Sequence, residues 1–168
     1  MMEIRLLSSE DAAEWKRLRI QALEFDPGAF SASLEEYRAL SLEEVKRRLW
    51  ADRDALVVGA FENDCLVGSA GFFREKGPKS RHKGRIWGVY VAREFRGQGI
   101  GRKILGEVLK RAVHVEGLTQ VLLSVAVTQS AATRLYRSLG FECWGREPRA
   151  LGVEGQWIDE EYMILRLI

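Results

Sequence analysis

Val89-Tyr90-Val91-Ala92-Arg93-Glu94-Phe95-Arg96-Gly97-Gln98-Gly99-Ile100-Gly101 is the stretch on which the fold turns. A strand-like run enters a glycine-rich turn, and the turn opens directly onto an amphipathic helix. A helix start stripped of side chains leaves several backbone N–H groups unpaired at the positive end of the helix dipole. Such a start is a cradle for phosphate. Spacing separates the candidate ligand classes. A Walker loop needs Lys and Ser or Thr after its second glycine, and this segment has no such sequence. A dinucleotide fingerprint beginning at Gly97 and Gly99 requires a glycine where this chain has Arg102. The pattern that remains is Arg96-x-x-Gly99-x-Gly101.

The segment after the loop reads as a well-specified helix. Ile100, Ile104, Leu105, Val108, Leu109 and Ala112 fall on one face, and Lys103, Glu107, Lys110 and Arg111 on the other. Gly117 is the expected helix terminator. The β-rich run Gln120 to Val127 follows. Strand, glycine loop, helix and strand make a βαβ unit, which demands a parallel strand pair with a right-handed crossover.

A second signature lies immediately downstream, Ala132-Thr133-Arg134-Leu135-Tyr136-Arg137-Ser138-Leu139-Gly140-Phe141. The first motif has the Q/R-x-x-G-x-G/A form and the second the A-x-x-L-Y-x-x-x-G-F form of the GNAT acetyltransferases. The two stand in the right order, bridged by one helix and one strand. Across about residues 85–141 the chain therefore resembles the GNAT (GCN5-related) N-acetyltransferase superfamily. One position departs from the pattern: many relatives carry Asn three residues before Ala132, where this chain has Gln129. A longer amide can donate the same hydrogen bond from a different reach.

The resemblance implies a role for each matching position. The backbone N–H groups of Gly97, Gly99, Gly101 and Arg102 would bind the pyrophosphate of acetyl-CoA, with Arg96, Gln98 and Ile100 completing the loop. Val89, Tyr90 and Val91 would pair with the pantetheine arm as an added strand, and Gln129 and Ala132 would touch the same arm. Tyr136 would be the general acid for the departing thiolate. Spacing alone reads Tyr136 differently. Ala132, Leu135, Tyr136 and Leu139 form one helical stripe, and a core aromatic satisfies that pattern equally well.

The general base is not visible in the sequence. Trp87-Gly88 stands where several relatives place an acidic residue. Glu35, Glu36, Asp159, Glu160 and Glu161 fall in regions that line the acceptor side of similar proteins. Each reads at least as well as a solvated carboxylate. The one basic run, Lys76, Lys79, Arg81, His82, Lys83 and Arg85, reads as a solvated loop or as a steering patch for an anion. No aromatic residue interleaves with it, which argues against nucleic acid. Trp87, Tyr90, Trp144 and Trp157 read as strand aromatics, mostly for packing.

Composition sets the outer limits. A chain of 168 residues suits one N-acetyltransferase domain spanning 1–168. A net charge of +2 gives no global field to attract nucleic acid. Cys65 and Cys143 show no metal or redox spacing, and His82 and His114 are too few to build a metal site without converging carboxylates. No apolar run is long enough to span a bilayer, and Met1-Met2-Glu3-Ile4-Arg5 lacks the form of a signal peptide, so a cytoplasmic protein without metal or membrane partner is expected.

Outside the motifs, Glu3 to Leu7 reads as a strand. Ser8-Ser9-Glu10-Asp11 and Ser41-Leu42-Glu43-Glu44 read as capping boxes opening two helices. Residues 55–62 and 65–74 read as a hairpin, 85–92 as the next strand, and 141–152 and 156–167 as two last strands. The expectation is a mixed α/β (α+β) GNAT fold, a mostly antiparallel twisted sheet of about seven strands flanked by four helices. Its expected activity is transfer of an acetyl group from acetyl-CoA to the amine of a small molecule or a protein, without a covalent intermediate. A non-catalytic acetyl-CoA sensor is the alternative, and residues 141–167 are a candidate homodimer contact.

Overall fold

A computed structural model describes residues 1–168. The chain runs β1 (Met2–Leu6), α1 (Ala12–Phe25), α2 (Leu34–Ala39), α3 (Leu42–Arg48), β2 (Ala55–Glu62), β3 (Cys65–Arg74) and β4 (Lys83–Val91). It continues with α4 (Ile100–Ala112), β5 (Gln120–Ala126), α5 (Ser130–Ser138), β6 (Glu142–Val153) and β7 (Gln156–Arg166). The strands form one seven-stranded sheet in the order β1-β2-β3-β4-β5-β7-β6. Only β4 and β5 run parallel, as the βαβ reading requires, with α4 as the crossover.

The sheet is covered on both faces, which is why β2 and β3 read as near-continuous apolar runs. On one face α4 and α5 pack Ile104, Leu105, Val108 and Tyr136 against Val58, Ala70, Val121, Leu123 and Met163. On the other, α1 to α3 pack Trp15, Leu18, Ala22, Tyr37 and Val45 against Val57, Leu66 and Tyr90. Leu18, Val45, Leu105 and Val108 are fully buried. Each such aliphatic side chain contributes about 1.5–3 kcal/mol of transfer free energy.

Two details differ from the sequence expectation. A fifth helix, α2, precedes α3. Its signal is a further capping box, in which Ser33 N–H donates to Glu36 Oε2 at 2.9 Å and Glu36 N–H to Ser33 Oγ at 3.1 Å. The helix is only six residues long, so it shows no apolar period of its own. Gly117 does not close α4, which ends at Ala112; it takes a positive φ in the turn leading to β5.

The feature that positions the site is a split between β4 and β5. The two strands pair only from Lys83↔Gln120 to Arg85↔Leu122, and above that level no residue of β4 pairs with β5. On its other edge β4 stays paired with β3 up to Gly68↔Val91, with a bulge where Gly88 and Val89 oppose the single residue Ala70. Gly88 sits in the bulge at φ +62°. The bulge bends β4, and the strands splay into a wedge whose mouth faces the glycine loop.

Candidate functional site

The Ala92 N–H bonds to Val67 on β3 at 2.8 Å. Strand alternation therefore directs the polar groups of Val91 to the opposite edge, into the wedge. There the Val91 carbonyl accepts from Arg96 Nε at 2.8 Å. Val89, two residues earlier, presents its backbone to the same gap.

Above the wedge the chain passes through Arg96-Gly97-Gln98-Gly99 into α4. Gly97 and Gly99 both adopt φ +76°, the left-handed region that suits glycine, and a Cβ at either would meet nothing within 4 Å. Backbone conformation and not crowding accounts for these two glycines. Gly101 is different, because a Cβ there would lie 3.1 Å from Leu135 on α5. From Gly97 to Arg102, six successive backbone N–H groups find no acceptor within the chain, and the first that does is Lys103, bonded to Gly99 O at 3.1 Å. An array of free donors at the start of a 13-residue helix has the geometry and the dipole that suit an anion.

The N-terminus of α5 faces the same space. Gln129 caps that helix through its backbone, accepting from the Thr133 N–H at 3.0 Å. Its side-chain amide makes no capping bond and is left for other partners. The loop, the wedge and α5 enclose a cleft of about 360 Å³. Val89, Tyr90, Val91, Arg96, Gly97, Gly99, Ile100, Gly101, Arg102, Gln129 and Ala132 all line it. Of the sequence-derived cofactor set, only Gln98 stands outside the lining, on the exposed crest of the loop.

Two loop arginines are already engaged. Arg96 Nη2 lies 3.0 Å from Asp26, over the ring of Tyr90 at 5.4 Å. Arg102 bonds Ser138 Oγ at 2.6 Å and ties α4 to α5. Arg93 joins Asp26 at 3.2 Å, so one carboxylate holds both ends of the loop's entry. Asp26, Ala29 and Phe30 line the cleft as well, although the sequence shows Asp26-Pro27-Gly28 only as a helix stop.

A smaller cavity of about 70 Å³ adjoins the cleft, sharing Ala29, Phe30, Val89, Gln129 and Ala132 with it. Tyr136, Trp87, Gly88 and Ser124 also line it, with Ile86, Leu123 and Val125. Tyr136 is 5% exposed, with its ring edge-on to Phe141 at 6.0 Å. Burial pushes its phenol pKa up, so the hydroxyl stays protonated. Tyr136 is a core aromatic by its ring, and its side chain also lines the small cavity.

The acidic candidates separate by their partners. Glu36 is used in the α2 capping box. Asp159 accepts from the Arg149 N–H at 2.8 Å and from Arg146 Nε at 3.0 Å, which holds its pKa down. Glu161 lies 3.6 Å from Arg137 of α5. Glu35 is exposed. Glu160 is half-buried on the sheet face opposite α5, without an ion pair. Burial, and then the Glu147 carboxylate across the strand pair, push its pKa up. Tyr162, two residues on along the same face, hydrogen-bonds Glu147.

Other sequence candidates lie elsewhere. The basic run sits at the foot of the wedge, where Arg81 meets Asp54 at 3.5 Å and Arg85 meets Glu75 at 2.5 Å. Trp144 and Trp157 are exposed on β6 and β7, Trp144 stacking on Tyr162 at 5.5 Å. Cys65 and Cys143 are free and exposed, and neither lines the cleft or the small cavity. No helix is long and apolar enough to cross a membrane.

Residues 17–141 match the family described as Acetyltransferase (GNAT) family. The chain is 34% identical over 79 residues to an L-methionine sulfoximine/L-methionine sulfone acetyltransferase of Pseudomonas aeruginosa, covering 47% of this chain and 45% of that protein. It is 27% identical over 149 residues to a mycothiol acetyltransferase of Brachybacterium faecium, covering 87% of this chain and 42% of that protein. The matched region thus spans less than half the length of these curated relatives. A GNAT-family acetyltransferase from Streptococcus pneumoniae superposes with a TM-score of 0.89 at 24% identity, covering 99% of this chain and 100% of that one. The yncA protein of Salmonella typhimurium, solved with its cofactor acetyl-CoA, superposes with a TM-score of 0.82 at 24% identity, covering 100% and 95%.

Proposed function

Because the chain belongs to the GNAT acetyltransferase family, we propose that it moves the acetyl group of acetyl-CoA to a primary amine by direct attack in a ternary complex. The observation that carries this reading is the run of free N–H groups from Gly97 to Arg102, set at the mouth of a wedge whose strand edge is unpaired. A pyrophosphate suits the first. An extended pantetheine arm suits the second, because it can bond to backbone groups as a strand would.

The chain's own groups then divide the work. The loop amides hold the diphosphate, and the Val89 and Val91 backbone orients the arm in the wedge. One of those amides stabilises charge developing on the thioester oxygen. Tyr136, kept neutral by burial, donates to the departing sulfur. Glu160, whose pKa burial and Glu147 raise, takes a proton from the acceptor ammonium, directly or through water, so that the neutral amine attacks, and the proton the nitrogen sheds as the intermediate collapses returns to the Tyr136 oxygen. Neither cysteine is placed to form an acyl-enzyme.

The acceptor is proposed to be a small amine. The relatives named for methionine sulfoximine and for mycothiol act, by those names, on small molecules. The space beside Tyr136 is also narrow. One observation favours a second reading, an acetyl-CoA sensor without turnover: Trp87-Gly88 replaces the carboxylate expected just before the wedge strand.

Thermal unfolding with acetyl-CoA, and with NADH and ATP as controls, tests the reading. A ligand at a hundred times its Kd adds about 2.7 kcal/mol, which in a domain of this size raises Tm by about 5–10 °C. A rise with acetyl-CoA alone, followed by amine-dependent release of CoA thiol, supports the enzyme. Binding without release across a panel of amino acids and small amines favours the sensor. Equal shifts with NADH overturn both.

A further inference from the structure

Arg19 is the least expected residue of the molecule. It lies on the buried stripe of α1 with Trp15, Leu18 and Ala22, and it is 3% exposed. It forms no ion pair, and its Nε has no partner. Instead the guanidinium sits among four rings: Phe30 at 4.9 Å, Tyr37 at 5.0 Å, Trp15 at 5.9 Å and Trp87 at 6.0 Å. Its hydrogen bond runs from Nη1 to the carbonyl of Gly88 at 3.3 Å. Burying a cation without a carboxylate is costly, and aromatic faces offset only part of that cost. An aliphatic residue would fill the same volume without that cost, so packing alone does not account for an arginine.

What the guanidinium touches is the acyl end of the wedge. Gly88 is the bulge residue at φ +62°, and the bulge is where β4 bends away from β5. Two of the cage rings, Phe30 and Trp87, line the small cavity with Gly88, Val89 and Tyr136. One side chain therefore braces the bulge carbonyl and two walls of the same cavity.

We propose that Arg19 is a positioning residue that holds the β4 bulge and the Phe30 and Trp87 rings in place, and so keeps the acyl end of the wedge open. This rests on the acetyl-CoA reading above. It separates two parts of one ligand: the glycine loop, remote from Arg19, takes the diphosphate, and the braced wedge takes the arm.

The separation is measurable by calorimetry with two probes, acetyl-CoA and 3′-phospho-ADP, the second lacking the arm. Arg19→Met keeps the volume and removes the charged donor. It is expected to bind acetyl-CoA about tenfold more weakly, the scale of a lost charge-assisted hydrogen bond, while binding 3′-phospho-ADP as the wild type does. Arg19→Lys keeps a cation under the rings and is expected to recover part of the loss. Unchanged acetyl-CoA affinity in Arg19→Met overturns the proposal. So does an equal loss for both probes, which is what a merely structural role produces. If Arg19→Met does not fold, Gly88→Ala replaces it. Its Cβ would lie 3.0 Å from Arg19 Nη1 at a positive φ, and the same selective loss is expected, an equal loss again overturning the idea. A wild type that binds neither probe removes the acetyl-CoA reading, and this one with it.

Discussion

The foot and the mouth of the β4–β5 pair are built from the same two strands and do opposite things. At the foot, Lys83 to Arg85 pair with Gln120 to Leu122, and buried Gly84 lets the Phe72 ring lie close over the strand. At the mouth, from Ile86 to Val91, β4 has no partner on that edge, and the adjoining loop adds six free amides. The foot uses its backbone hydrogen bonds within the sheet, and the mouth leaves them unpaired, where the proposed cofactor would bond. A substitution at the foot should therefore change stability without changing affinity. One at the mouth should do the reverse.

The largest effect is expected at the mouth. Gly101→Glu puts a carboxylate where the N–H array favours an anionic ligand, with its Cβ against Leu135. Acetyl-CoA affinity should fall by about a hundredfold or more, while circular dichroism shows a folded protein. Binding retained by this variant would sink the cradle assignment.

Tyr136→Phe comes next. It should lower turnover by about a hundredfold, the usual contribution of a positioned acid, with acetyl-CoA affinity little changed. The pH–rate profile sharpens the test. Burial raises the Tyr136 pKa above its ordinary 10.0, so the phenol remains a donor and imposes no alkaline fall below that pH. Glu160 is raised above its ordinary 4.5, so the rate should fall with acid through a value higher than that, and Glu160→Gln should abolish this limb. An acid limb that survives Glu160→Gln assigns the base elsewhere.

Gly84→Ala breaks the foot instead. Its Cβ would overlap the Phe72 ring, and overpacking of this kind costs about 1–3 kcal/mol. The expected readout is a lower Tm with unchanged acetyl-CoA Kd. A changed Kd would mean that foot and mouth are mechanically coupled.

Asp26→Asn should have the smallest effect. It loosens both Arg93 and Arg96 at the entry to the loop. Such partly exposed pairs contribute below about 1 kcal/mol, so affinity should shift no more than a few-fold.

Much of this was legible in the chain. The glycine loop, the amphipathic face of α4 and the Tyr136 stripe follow from local periodicity; the cleft gathers all but Gln98 of the expected cofactor contacts, and Tyr136 lines the adjoining cavity. Helix α2 was hidden because six residues are too few to show a period, although Ser33 and Glu36 carry its cap. Arg19 stood in plain view on the apolar stripe of α1, yet its four rings come from α1, α2, β4 and the loop after α1, which no spacing relates. Asp26 likewise reads locally as a helix stop and acts only through arginines about seventy residues away.

The sequence by itself determined the βαβ unit, the glycine-rich helix start with its free amides and the family resemblance, because each depends on neighbours within a turn or two of the chain. Only the tertiary structure decided that β4 parts from β5 above Arg85, that Asp159 is ion-paired while the half-buried Glu160 is not, and that Arg19 stands behind the bulge. Those outcomes depend on which strands meet, on what is desolvated and on which charges find partners. They are properties of packing between distant segments, and no local pattern encodes them.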